Sequence, residues 1–172
     1  MRTSAPDIYA AGDVAEAYDI VYERPRVNAL WTQATEQGKV AGSNMSGQDV
    51  EHEGSIGMNS LELFGVPVIS MGITSPRDEG FEVITLKRPG NYYRKLVLKD
   101  DVIKGAIFLG SVERSGVVLA LIKKGVNVKH YKERILRDEF SFATFLDLID
   151  DKSRYFEGGG ERNVQRIMQG GY

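Results

Sequence analysis

Hydrophobic and polar positions divide this chain into successive textures. Near the start, Ile8-Tyr9-Ala10-Ala11 is a short apolar run without polar alternation, the pattern of a strand buried on both faces in a parallel sheet. Pro6 ends whatever precedes it. Residues 14–27 lack clear periodicity and read as a loop, with a short strand at Asp19–Tyr22. Asn28 is placed to cap a helix over Ala29–Met45, with Leu30, Ala34, Ala41 and Met45 as its apolar stripe. Ala34, Gly38 and Gly42 recur every four residues and leave one side of that helix nearly bare. Glycine inside a helix costs about 1 kcal/mol relative to alanine, so close packing against a neighbouring backbone is expected there.

Residues 43–60 are rich in Gly, Ser, Asn and acidic residues and read as a linker. The texture then turns to β. Leu61–Phe64, Val66–Met71, Phe81–Arg88, Tyr92–Lys99 and Val102–Gly110 are apolar or β-branched runs broken by turn residues. Pro89-Gly90-Asn91 and Lys99-Asp100-Asp101 mark tight turns, which predicts an antiparallel meander. A helix over Ser115–Lys124 follows, with Val117, Val118, Leu121 and Ile122 on one face. Lys123 and Lys124 suit its C-terminal dipole, and Gly125 caps it. A second helix is predicted near Phe140–Ile149, and residues 151–172 read as a flexible tail. The fold class is therefore α+β: a strand and helix from an α/β domain, then an antiparallel sheet with helices.

The bulk numbers narrow the function. The 172 residues allow one medium domain or two small ones, and 42% are hydrophobic, enough for a core. A formal charge of −2 gives no electrostatic case for nucleic acid. Without cysteine, disulfides, thiolate metal sites and a redox dithiol are excluded from this chain; the composition fits a cytoplasmic protein. No apolar run approaches the roughly 18 residues of a membrane span. His52 and His130 have no partner at metal-ligand spacing, and the glycines at 158–160 lack the strand and helix of a phosphate loop.

Candidate chemistry lies at the first strand's carboxyl end. Gly12 there lets a ligand approach the backbone, and Asp13 adds a carboxylate at the edge where open α/β sheets bind ligands. That acceptor suits a sugar hydroxyl, although an ordinary Gly-Asp turn fits the same residues. The helix that follows offers free amides and a positive dipole end to electron-rich groups.

Thr3, Pro6, Ile8, Tyr9, Ala10, Gly12 and Asp13 together match T-x-x-P-x-I-Y-A-x-G-D. This resembles the second flavin-binding motif of the FAD-dependent pyridine nucleotide-disulfide oxidoreductases, which include NADH oxidases, rubredoxin reductases and the flavin part of NAD(P)H-nitrite reductases. The resemblance implies that Asp13, beside Gly12, holds the ribityl chain of FAD. Residues 30–38 look like the family's A-x-x-Q-G helix, which implies that an amide at Trp31 or Thr32 faces the flavin O2 edge. The helix start from Trp31 to Ala34 would then border the pyrimidine. The Trp31 indole either packs beside the ring system or is a partly buried packing residue. Ala106–Gly110 followed by Val117–Gly125 is similar to the family's C-terminal dimerisation domain.

The resemblance thus implies the C-terminal part of an FAD-dependent NAD(P)H oxidoreductase, with the nitrite-reductase-like group slightly favoured. Residues 1–52 would be the end of the FAD domain, 53–150 the dimerisation domain, and 151–172 the tail. The expected partners are the remaining FAD and NAD domains and a second copy in a homodimer, with no nucleic acid and no membrane. The first FAD fingerprint, G-x-G-x-x-G, is missing, so the chain looks cut inside its flavin domain and inactive by itself. The alternative is a non-enzymatic dimerisation or interaction module with a vestigial flavin motif.

Overall fold

The computed structural model describes residues 1–137 together with Glu139 and Leu146. The helix expected near residues 140–149 lies outside that range except at Leu146, and the expected tail lies wholly outside it.

Two sheets organise the described residues. The smaller pairs β1 (Ala17–Asp19) antiparallel with β2 (Arg24–Arg26). The larger has five strands: β3 (Met58–Leu63), β4 (Val66–Gly72), β5 (Glu82–Arg88), β6 (Tyr92–Lys99) and β7 (Val102–Leu109). Their spatial order is β3-β4-β7-β6-β5, every neighbour antiparallel. This corrects the simple meander. Strands β5, β6 and β7 do form one, but β7 then pairs back onto β4, so the β4–β5 connection passes across two strands.

Turn chemistry sets the hairpins. Asp100 and Asp101 both take positive φ, 52° and 62°, as a two-residue hairpin requires. Between β5 and β6, Gly90 and Asn91 do the same at 81° and 59°. A register shift at Val97/Leu98 buries the consecutive residues Val97 and Leu98 on β6, and Gly105 and Ala106 are both buried on β7.

Helix α2 (Ser115–Lys124) packs on β7 and ends at Gly125 in the left-handed region. A short α3 (Lys132–Leu136), not evident in the sequence pattern, closes the same face. Leu96, Leu98, Ile103, Ala106, Phe108, Leu121 and Val128 are almost wholly excluded from solvent and form the core. Lys132 fastens α3 to β5 through Glu82 and to the β6–β7 turn through Asp101. Lys104 on β7 reaches Glu23 in the β1–β2 turn at 2.6 Å, tying the small sheet to the large one.

These ion pairs give stability a pH signature. The hydrogen bond and charge of Lys104 lower Glu23 from its ordinary 4.5, and Lys132 lowers Asp101 from 3.8. Both contributions are complete above those ordinary values and fade as pH falls through the lowered folded ones. Lys132 is raised above 10.5, first by the Asp101 hydrogen bond and then by Glu82. Its contribution is present below 10.5 and is lost as pH rises past the raised value. Because Glu23 and Glu82 are exposed and Asp101 is only half-buried, each limb is small. Lys132→Met is expected to flatten the alkaline limb of urea midpoints against pH and leave the Glu23 part of the acid limb. An unchanged alkaline limb would contradict the assignment.

Candidate functional site

Helix α1 (Trp31–Met45) carries the site, and the chain meets it differently from the sequence pattern. Its buried side holds Gln33, Gln37, Val40, Ala41 and Asn44. Of the expected apolar stripe only Ala41 is buried; Met45 is 70% exposed. Gly38 and Gly42 face open space, with nothing within 4 Å of an added Cβ. The bare side therefore does not pack against a backbone among the described residues.

Asn28 is not the cap. Leu30 occupies that position, with no side-chain hydrogen bond to the helix amides. The Asn28 carboxamide instead donates to Asp19 Oδ2 at 2.9 Å and to Ser55 Oγ at 2.8 Å. Asp19 is buried, and its Oδ1 accepts from the amides of Val21 and Tyr22 at 2.9 and 3.0 Å. Ser55 also accepts the Ile20 amide at its carbonyl and donates its own amide to Tyr18. This network anchors the segment entering α1 to the small sheet and the linker. It leaves the first-turn amides of α1 without a capping side chain, and such amides need water or a ligand.

The run 8–11 does not form the doubly buried strand. Its pairing is an isolated antiparallel bridge, Tyr9 with Arg2, and Ile8 is 56% exposed. No parallel neighbour exists for it among the described residues, and Tyr9, Ala10 and Ala11 are only half-buried. Gly12 takes φ +84°, a conformation that strains any other residue. Its amide donates to Gln37 Oε1 at 2.8 Å. A Cβ on Gly12 would lie 3.5 Å from that of Ala34. The Gly-Asp turn is thus clamped to the first two turns of α1.

Among the named candidates the structure brings Gly12 and Ala34 together. Asp13 is exposed, and its carboxylate has no hydrogen bond or ion pair among the described residues. Trp31 is 81% exposed and is not packed against the other described residues. Thr32 is also exposed, on the open first turn. Sequence reasoning missed Gln37 and Gln33; the former was visible as the Gln of the Gln-Gly pair. Gln33 is only 7% exposed, yet its Oε1 has no hydrogen-bond partner among the described residues.

A cleft of about 740 Å³ lies elsewhere. It is lined by Thr3, Ala10, Val14, Glu16, Asn44 and His52 among others, near the far end of α1. It omits Gly12, Asp13 and the helix start. No cluster of His, Asp or Glu able to hold a metal exists among the described residues, and no helix there is long and apolar enough to cross a membrane.

Residues 58–126, from the first residue of β3 to just beyond α2, match the family described as the rubredoxin NAD+ reductase C-terminal domain. Relatives extend the likeness upstream of this stretch. The chain is 28% identical over 155 residues to pyridine nucleotide-disulfide oxidoreductase domain-containing protein 1 of Drosophila melanogaster, covering 86% of this chain and 33% of that protein. It is 30% identical over 129 residues to the nitrite reductase [NAD(P)H] of Bacillus subtilis, covering 74% of this chain and 15% of that one. The NADH:rubredoxin oxidoreductase of Clostridium acetobutylicum superposes with a TM-score of 0.58 at 28% identity, over 86% of this chain and 35% of that structure. The chain spans a third or less of these two curated relatives, which fits a C-terminal segment.

Proposed function

We propose that this chain is the C-terminal part of an FAD-dependent NAD(P)H oxidoreductase of a cytoplasmic type. It would hold the ribityl and pyrimidine side of the flavin, form the dimer interface, and be inactive by itself. The observation carrying this reading is the clamped turn. Gln37 and Ala34 fix Gly12 against α1, and, among the described residues, Asp13 beside it presents an unpartnered carboxylate and no side chain caps the α1 amides. These features fit the cofactor: the carboxylate suits a sugar-alcohol hydroxyl, and the uncapped amides suit a carbonyl edge. When bound, the flavin supplies hydride acceptance from a nicotinamide and onward electron transfer. The chain's own part is orientation: Asp13 accepts the ribityl hydroxyl, and the helix start at Trp31 and Thr32 supports the O2 side.

Two carboxylate or amide hydrogen bonds, at about 1 to 3 kcal/mol each, fall short of the roughly 8 kcal/mol that micromolar affinity needs. The remaining affinity belongs to the adenine-binding and nicotinamide-binding parts of the whole enzyme. A boundary between flavin and dimerisation parts near residue 52 suits this division.

The dimer reading rests on surface. Leu61 and Leu63 lie two residues apart on edge strand β3 and are 45% and 54% exposed. Phe64 is fully exposed at φ 51°, a conformation unfavourable for a bulky side chain. An apolar edge of this kind normally meets a partner.

The test is Asp13→Ala in the full-length flavoprotein. FAD retention after desalting is expected to fall about tenfold or more, and light scattering is expected to show the same dimer in both proteins. Unchanged flavin content would remove Asp13 from the site. A monomer at tens of micromolar would remove the interface.

A further inference from the structure

A polar cleft of about 180 Å³ lies where the small sheet meets the large one. The small sheet and the segment leaving it supply Asp19, Tyr22, Arg26 and Asn28, and the opposite wall carries Asn59, Ser70 and Thr74. Asn59 on β3 and Ser70 on β4 are direct cross-strand partners, so their side chains leave the sheet on one face. That face is turned away from α2, because Ile69 and Met71, on either side of Ser70, pack with the core.

The donors around this cleft are uncommitted among the described residues. Arg26 is half-buried and stacks on the Tyr22 ring, its guanidinium carbon 3.7 Å from the centroid. Stacking fixes the guanidinium plane and leaves its in-plane N–H groups free to donate. The Asn59 carboxamide and the half-buried hydroxyls of Ser70 and Thr74 likewise have no hydrogen bond there. Asp19 is the only carboxylate of the described lining, and its oxygens already accept from Val21, Tyr22 and Asn28. A cation and several neutral donors without acceptors call for a ligand built of acceptors. Guanidinium binds oxyanions through paired, charge-assisted hydrogen bonds. Donors on opposite walls need acceptor oxygens pointing in several directions, which a tetrahedral phosphate offers and a planar carboxylate does not.

We propose that this cleft binds a phosphate group, with Arg26 as its charge partner and Asn59, Ser70 and Thr74 as donors from the facing wall. The site is separate from the clamped turn and does not depend on the flavin reading. A free phosphate ion and the phosphate of a larger molecule present the same group, the remainder of the larger molecule extending into solvent.

The experiment titrates the full-length protein by calorimetry with inorganic phosphate and, separately, with glycerol phosphate. Ionic strength is held constant with chloride, and the melting temperature of each variant is recorded. Inorganic phosphate is expected to bind. Arg26→Met, which keeps the stem over Tyr22, should weaken it about tenfold or more, and Ser70→Ala about fivefold. Arg24→Met, an exposed residue of the same strand that does not line the cleft, should change nothing. Comparable binding of glycerol phosphate supports a site for the phosphate of a larger molecule, and its exclusion supports a site for the free ion. Three results would overturn the proposal. Phosphate heats that match chloride would leave the cleft a hydrated gap between the sheets. Unchanged affinity in both Arg26→Met and Ser70→Ala would place the binding elsewhere. A loss in Arg24→Met equal to that in Arg26→Met would reduce it to diffuse charge attraction. If Arg26→Met melts earlier than the unaltered protein, Ser70→Ala decides, since alanine there removes only a hydroxyl that no described group uses.

Discussion

Asp19→Ala should lower the stability of the chain by about 3 kcal/mol, with the urea m value unchanged. Asp19 is 1% exposed, and its two oxygens accept from the amides of Val21 and Tyr22 and from the Asn28 carboxamide. Alanine leaves three donors without an acceptor. Each such loss costs about 1 to 3 kcal/mol when fully buried, and water reaching Tyr22 and Asn28 reduces the total. Asp19→Asn should fall between: its oxygen keeps the two backbone donors, but its NH2 meets the NH2 of Asn28. A loss below about 1 kcal/mol for the alanine variant would show that this network does not anchor the entry to α1.

Gly105→Ala should be at least as damaging, at about 3 kcal/mol or more. The residue is buried in β7 between β4 and β6, where a Cβ would overlap the backbone of Ile73. Ile73 is held there by its amide, which donates to the Lys104 carbonyl at 2.9 Å. The obstacle is main chain and cannot rotate away. Gly42→Ala is the contrasting substitution. It lies in α1 with open space around it and should stabilise the chain by up to about 1 kcal/mol. Urea unfolding of both variants checks the pair, and equal effects would contradict the close approach at Gly105.

The large sheet was legible because its signals are local. The Tyr92–Lys99 strand and the Ser115–Lys124 helix have the bounds read from sequence, since turn residues and a capping glycine flank them. The pairing of β4 with β7 was not legible: nothing local records which distant strand becomes a neighbour. The run 8–11 misled for another reason. Its apolar pattern reflects a burial that the described residues do not provide, which leaves Ile8 exposed. In α1, Gln33 and Gln37 on the buried side defeat a stripe drawn from apolar residues alone. Gln37 and Asn44 sit there because the helix faces backbone groups of Gly12 and Val50, which their carboxamides bind. Asn28 was read as a cap by its proximity to the helix, but a buried carboxylate competes for its amide.

The strand order also dictates a sequence of events during synthesis. The hairpins β3–β4 and β5–β6 are each closed by contacts between near neighbours in the chain and can form early. The centre of the sheet belongs to β7, the last strand to be made. Until it emerges, the inner edges of β4 and β6 have no partner, and a lone two-stranded hairpin is marginal in water. Closing the sheet then brings Gly72 beside Gly105 across the whole β5–β6 hairpin, a long loop whose entropy must be lost before the pairing is gained. A ribosome stalled before Val102 would therefore hold two sticky ribbons, and release of β7 converts them together into one domain.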